Sequence, residues 1–201
     1  MVSVGHTILV LIVSALAAYA FARIPFRGKG LLFLLALAGL MVPLQGTFIP
    51  IYLMMAHLHW HNTYQALILP GVAAPFGLFL LTQLFKAIPA DIEEAAMLDG
   101  APRLTILMRL ILPLSVPALT TLGLITFLGI WNDVLWPLIS ATKPESQTIT
   151  VGLPLLIGDY GTVAYLGQSL AAAWVGGVPV MVVFMLFQRR LIRGMSIGDT
   201  F

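Results

Sequence analysis

The residues best suited to chemistry in this chain lie in one polar stretch, residues 91–99, which carries four carboxylates and no basic residue. Such a cluster can form ion pairs with a basic surface, and Glu94 is a candidate for one. The chain contains no H-E-x-x-H or G-x-S-x-G pattern. Its one Gly-Lys pair, Gly28-Lys29, lacks the earlier glycine that a phosphate-binding loop needs. The acids therefore predict binding by charge, and no catalytic residue is assigned.

A run of three histidines, His57, His59 and His61, is the second group with chemical potential, because histidine is a common metal ligand. No carboxylate lies beside the run, and the chain has no cysteine. The favoured interpretation is an interfacial loop beside Trp60, where aromatic and amphipathic residues are common. The sequence therefore predicts no metal site.

The composition places the elements around these residues in a membrane. Hydrophobic residues make up 60% of the chain and charged residues 9%, whereas soluble domains are about 25% charged. Stretches of roughly 20 apolar residues, enough to cross a bilayer, lie near 2–22, 31–56, 63–85, 111–131 and 166–188. These stretches are too long for barrel strands. We therefore expect an all-α membrane protein, a polytopic bundle of about five spans that forms a single transmembrane domain over residues 1–201.

The basic residues predict how the spans are oriented. Nine of the ten fall on one side of the predicted spans: Arg23, Arg27, Lys29, Lys86, Arg103, Arg109, Arg189, Arg190 and Arg193. Only Lys143 falls on the other. The positive-inside rule makes the larger group cytoplasmic, and with it the C-terminus. A signal peptide over 1–22 is the weaker alternative, since it would lack a basic first segment. We expect instead that a preceding span is missing from this chain.

The polar stretch belongs to a loop, residues 89–112, that is predicted to form a helix, a turn and a second helix. Asp91 can cap the first helix, with Glu94 as its reciprocal partner in a capping box. Gly100 stands where a helix ends in a left-handed turn, and the second helix is expected to run on into the fourth span. A short amphipathic helix suits a groove on a partner protein. The alternative, a helix lying on lipid, fits poorly with four acids facing an anionic leaflet.

The same loop resembles the EAA loop of ABC importer permeases, whose pattern is E-A-A, three residues, G, nine residues, I, one residue, L-P. The matching residues are Glu94, Ala95, Ala96, Gly100, Leu112 and Pro113, with Leu110 in the isoleucine place. The stretches 17–30, 41–55, 74–81, 131–139 and 188–198 are also similar to carbohydrate-importer permeases of the maltose-transporter type. The resemblance therefore covers nearly the whole chain.

This resemblance implies a six-span core that here lacks its first helix, in the plasma membrane of a prokaryote. It implies contact of the loop with a separate ATPase, which alone uses ATP, while this chain binds no cofactor and no nucleic acid. The implied partners are a second permease subunit, an ABC ATPase dimer, an extracytoplasmic solute-binding protein and the lipid bilayer. The residues implied in coupling are Glu93, Glu94, Ala95, Ala96, Asp99, Gly100, Leu110, Leu112 and Pro113. Gly194 and Gly198 are implied in a contact between the tail and the ATPase.

The resemblance further implies alternating-access import of a sugar or polyol, with this chain forming half of the translocation path. Trp131, Asn132 and Asp133 could contact sugar hydroxyls and rings, although interfacial anchoring is the favoured interpretation. Three alternatives remain open. The chain could import a solute other than a sugar, or be a fragment that no longer transports. It could also be an ion-coupled secondary transporter, which usually carries intramembrane ionisable residues that these spans nearly lack.

Overall fold

The computed structural model describes residues 1–152 and 166–195, and within those ranges it contains helices and no strand. The predicted fold class, an all-α membrane protein, is confirmed. A π-helical segment spans Leu107–Ile111, and short 3-10 turns lie at Gly39–Met41 and Pro144–Ser146. The helices are α1 (Val2–Arg23), α2 (Lys29–Ala38), α3 (Leu44–His57), α4 (Tyr64–Ile68), α5 (Pro75–Ala87), α6 (Ala90–Leu98), α7 (Arg103–Ile106), α8 (Leu112–Leu114), α9 (Val116–Trp131), α10 (Leu135–Ser140) and α11 (Leu166–Met195).

Two helical segments of the described chain, Val2–Arg23 and Leu170–Phe187, are long and apolar enough to cross a membrane. Two bent pairs also qualify if each pair counts as one span, which gives up to four by length and composition. These pairs are Lys29–Met41 with Gln45–His57, and Arg103–Leu114 with Val116–Trp131. The span count is thus roughly that expected, but the spans are less regular than the sequence indicates.

Helix breaks beside prolines account for the irregularity of the third and fourth spans. The third predicted span, 63–85, consists of the five-residue α4 and the thirteen-residue α5, separated around Pro70 and Gly71. Pro75 then begins α5 at a position where its missing N–H costs nothing. The fourth span begins at Val116 and not at 111, because the chain bends by 80° at Ser115.

The described chain divides into two compact units. The first comprises Met1–Thr7, Pro43–Val72 and Leu124–Arg189. Its core contains Met55, Ala66, Leu67, Trp136 and Ala141. The Trp136 indole donates a buried 2.8 Å hydrogen bond from Nε1 to the Ala66 carbonyl, so α10 is fixed against α4.

The second unit comprises Ile8–Val42, Ala73–Gly123 and Arg190–Phe201. Its core joins α1, α5, the π segment and α9 through buried side chains that include Tyr19, Leu81, Phe85, Ile111 and Leu122. α1 and α5 approach so closely at Gly77 that an added Cβ would lie 2.5 Å from the Ser14 hydroxyl oxygen. This packed unit contains the whole of the polar loop.

Candidate functional site

The first helix of the polar loop, α6, forms because its sequence is rich in strong helix formers and carries acids in its first turn. The predicted capping box is wrong. The helix begins at Ala90, with Pro89 as its N-cap and no side-chain capping bond. Asp91 and Glu94 therefore lie inside the helix. Proline can set the entry itself, because its ring fixes the backbone before the first turn.

The turn after α6 is the one that the sequence predicts. Gly100 has φ +78°, in the left-handed region that glycine adopts without strain. The Gly100 N–H donates to the Met97 carbonyl and the Ala101 N–H donates to the Ala96 carbonyl, each at 3.0 Å. This pair of bonds is a Schellman motif. Pro102 then caps α7, so the helix-turn-helix is confirmed, although the second helix reaches the fourth span only after the break at Ser115.

One face of α6 is exposed and carries both charge and apolar surface. Glu94 and Ala95 are exposed, Leu98 is 90% exposed, and Leu104 of α7 is 62% exposed. These four residues are called the docking face below. Single exposed leucines are ordinary, but apolar side chains beside carboxylates on a short projecting helix suit a groove on a partner. Asp99, at the C-cap of α6, is also exposed next to this face.

The opposite face of α6 is anchored by charge. Glu93 is the buried residue of this helix, with its side chain 4% exposed, and its Oε1 lies 2.8 Å from Nε of Arg23 in α1. The two atoms are in ion-pair contact but are not aligned as a hydrogen bond. A terminal nitrogen of Arg23 also donates to the carbonyl of Ile88, just after α5. Glu93 thus faces the rest of its unit, whereas its neighbour Glu94 is exposed.

The remaining predicted coupling residues support the loop and do not belong to the docking face. Ala96, Leu110 and Leu112 are partly buried against the core of their unit. Pro113 is exposed and lies in the first turn of α8. The three partly buried residues hold the loop against the core of its unit, and the coupling role implied for all four stays a prediction.

The three residues predicted to contact substrate form hydrogen bonds with backbone groups of the protein. The Trp131 indole donates from Nε1 to the Gly176 carbonyl at 3.0 Å, and its ring stacks on Phe127. The Asn132 side chain donates to the carbonyl one turn earlier in α9. Asp133 accepts from the first two backbone N–H groups of α10, at 3.1 and 3.4 Å. Of the three, only Trp131 lines the nearby cavity of about 250 Å³, together with Tyr64, Glu145 and Gln147.

The loop that carries the histidine run is held by ring packing and hydrogen bonds. His59 and Asn62 both have positive φ values, and the His61 ring packs 4.3 Å from the Tyr52 ring. The Asn62 side-chain oxygen accepts from the Lys143 N–H at 2.8 Å. Across the described ranges, no three histidine or acidic side chains are placed to hold a metal ion.

The two tail glycines are placed differently. Gly194 lies in α11, and Gly198 lies outside the described residues. Their implied contact with an ATPase stays a prediction.

Sequence reasoning missed three residues of the site: Arg23, Leu98 and Leu104. In the sequence, Arg23 stands out only as one of the nine basic residues on the predicted cytoplasmic side. Leu98 follows Glu94 by four positions, which places it on the same helix face. That spacing was available in the sequence, whereas the pairing of Arg23 with Glu93 was not.

Comparison with known proteins gives one family over most of the chain. Residues 10–197 match the family described as "Binding-protein-dependent transport system inner membrane component". The trehalose/maltose transport system permease protein MalG of Thermococcus litoralis is 36% identical over 188 residues, covering 92% of this chain and 67% of that protein. The arabinooligosaccharides permease AraQ of Halalkalibacterium halodurans is 33% identical over 197 residues, covering 98% and 70%.

Two further similarities agree. The sulfoquinovosyl glycerol transport system permease protein SmoH of Agrobacterium fabrum is 34% identical over 201 residues, covering 98% of this chain and 70% of that protein. A solved bacterial ABC transporter involved in the import of the acidic polysaccharide alginate matches with a TM-score of 0.78 and 24% identity, covering 93% of this chain and 72% of the matched chain. At that identity the structural match supports the fold alone.

Proposed function

Since this chain belongs to the family of binding-protein-dependent transport system inner membrane components, we propose that it forms half of the path for a sugar or polyol in an ABC importer. It is a permease component of a membrane transport system. The observation that supports coupling to an ATPase is the docking face, where Glu94 and Leu98 are exposed on a helix whose other side is anchored to α1. A face of this kind suits insertion into a groove.

The proposed cargo rests on the relatives. Their names assign them trehalose and maltose, arabinooligosaccharides, and sulfoquinovosyl glycerol. All three are carbohydrates or carry a sugar, so a related solute is the proposed cargo here. A second permease would complete the path, and an extracytoplasmic binding protein would deliver the solute. ATP would be hydrolysed by a separate ATPase dimer, because this sequence has no phosphate-cradling loop.

The proposed orientation places the polar loop and the C-terminus in the cytoplasm. This orientation is supported by the sequence, in which nine of the ten basic residues fall on the side of the predicted spans that carries the loop and Lys143 falls on the other, as the positive-inside rule requires of a cytoplasmic side.

The decisive experiment purifies the tagged chain from membranes of its native host and measures ATP hydrolysis, followed by uptake in vesicles. The vesicles contain the binding protein, and the labelled solutes are a disaccharide, a polyol and an amino acid. We expect ATP-dependent uptake of the disaccharide or the polyol. Uptake of the amino acid alone would contradict the sugar assignment, and the absence of any co-purifying ATPase would contradict the importer assignment.

Glu94→Lys tests the docking face. Because Glu94 is exposed in this chain, reversing its charge should leave folding unchanged. If it is buried against a basic partner, the change should cost about 3–5 kcal/mol of assembly, but under about 1 kcal/mol if the pair stays in water. The matched control is Arg27→Glu, a reversal at another exposed residue of the same unit. Equal retention of the ATPase by both variants would contradict docking through Glu94.

A further inference from the structure

One arginine side chain joins three helical elements beside the docking face. Arg23 lies in the last turn of α1, and its side chain is 13% exposed. It contacts the Glu93 carboxylate of α6 at 2.8 Å and donates to the Ile88 carbonyl, where α5 has ended. The ends of α1, α5 and α6 therefore share one guanidinium group.

Glu93 is the most deeply enclosed side chain of α6. It is the buried residue of the helix, whereas Ala96 is partly buried against the core and Ile92 and Met97 are about two-fifths exposed. The innermost contact of α6 is therefore made by a charged group, whose partner is Arg23.

A buried tyrosine lies near the ion pair. Tyr19 of α1 is 4% exposed, and its hydroxyl has no hydrogen-bond partner among the residues that the structure describes. Its electrostatic neighbours are Glu93, Arg103 and Arg23. Burying an ion pair without ideal geometry adds little net stability, because desolvation offsets the attraction. The pair is therefore better explained by where it holds α6 than by how much it stabilises the unit.

We propose that Arg23 is a positioning residue that transmits displacement of the docking helix to the first span. The proposal rests on the proposed function, in which an ATPase moves α6. A force on Glu94 and Leu98 would reach Glu93 through one rigid helical turn, and Arg23 would carry it into the last turn of α1. The guanidinium suits this role, since its fixed fork of donors can hold a carboxylate and a carbonyl together.

The first test measures position directly in the full chain. The sequence has no native cysteine, so spin labels can be placed at Leu16→Cys in α1 and Asp91→Cys in α6, both exposed residues of one unit. We expect a single narrow distance distribution in the parent and in the control Arg27→Gln. Arg23→Gln should broaden it, and Arg23→Lys should restore part of the narrow population. A distribution that Arg23→Gln leaves unchanged would overturn the proposal.

The second test measures solute moved per ATP hydrolysed in the purified complex. Arg23→Gln leaves the Glu93 charge buried and unpaired, so the equilibrium that positions α6 should shift on the order of 100-fold or more. We expect ATP hydrolysis to continue with most transport lost. Arg27→Gln should transport normally. If Arg23→Gln does not fold, Glu93→Gln, which leaves Arg23 its carbonyl partner, must show the same uncoupling.

The double variant Arg23→Gln/Glu93→Gln separates positioning from charge neutralisation. It removes the unpaired charge, so thermal stability should recover while transport per ATP stays low. Full recovery of both would show that Arg23 only neutralises a buried acid, and would overturn the positioning role. If the unmodified complex imports nothing, the proposed function fails; if it imports and Arg23→Gln remains fully coupled, only this inference fails.

Discussion

Gly100→Ala is the sharpest test of the loop, because its cost can be read from the backbone alone. Gly100 has φ +78°, and a Cβ built there would meet no heavy atom of the described residues within 4 Å. The only penalty is that of a left-handed backbone with a side chain, about 1–2 kcal/mol. Relaxation to negative φ would relieve the strain but break the two bonds that close α6, those accepted by Met97 and Ala96. Either way, the angle between α6 and α7 is less well held.

Gly28 supplies a matched control in the same unit. It has φ +77°, and in the described part of the chain no heavy atom lies within 4 Å of an added Cβ. Gly28 precedes α2 and lies outside the loop. Gly28→Ala and Gly100→Ala should therefore lower the stability of the chain by similar amounts. Only Gly100→Ala should reduce retention of the ATPase, by roughly 5–30-fold for 1–2 kcal/mol. The assay is ATPase recovered per tagged chain, with thermal unfolding in parallel.

Equal loss of the ATPase in both glycine variants would refute this reasoning, since it would trace the defect to general instability. Unchanged retention in Gly100→Ala, with the expected loss of stability, would show that the turn does not aim the docking face. Gly100→Pro is the stronger form of the test. Proline fixes φ near −65° and removes the N–H that Met97 accepts.

Three further predictions concern the units and their orientation. Gly77→Ala should destabilise the second unit by about 1–3 kcal/mol through overpacking against Ser14. Adding Ser14→Ala should recover part of that loss, as measured by thermal unfolding. Purely additive effects of the two substitutions would contradict the overpacking. Trp136→Phe leaves a buried carbonyl of α4 unpaired and should cost about 1–3 kcal/mol; an unfolding midpoint equal to that of the parent would contradict it. In intact cells, a single cysteine at Lys143 should react with an impermeant thiol reagent, whereas one at Arg27 should not. The reverse pattern would overturn the orientation.

The sequence predicted the parts of the fold that depend on local chemistry. Gly100 followed by Pro102 indicates a helix end and a restart, and the structure has both. The breaks within the spans depend on packing. Apolar length alone does not distinguish a continuous span from the pair α4 and α5, because membrane helices often contain prolines such as Pro70 without ending there. The bend at Ser115 lies between Pro113 and Pro117, which indicate a kink but not its angle.

The division of labour between Glu93 and Glu94 shows what a sequence pattern leaves undecided. Successive residues of a helix lie roughly 100° apart around its axis, since a turn takes 3.6 residues. Two adjacent glutamates therefore lie on different faces of α6. Which of them is buried depends on the rotation of α6, and that is set by the entry at Pro89 and the turn at Gly100. Arg23 pairs with Glu93, the acid that is turned inward. The family pattern begins at Glu94, on the exposed face, and the residue just before it holds the helix in place. Substitutions at these two neighbours should therefore fail differently, Glu94 in assembly and Glu93 in coupling.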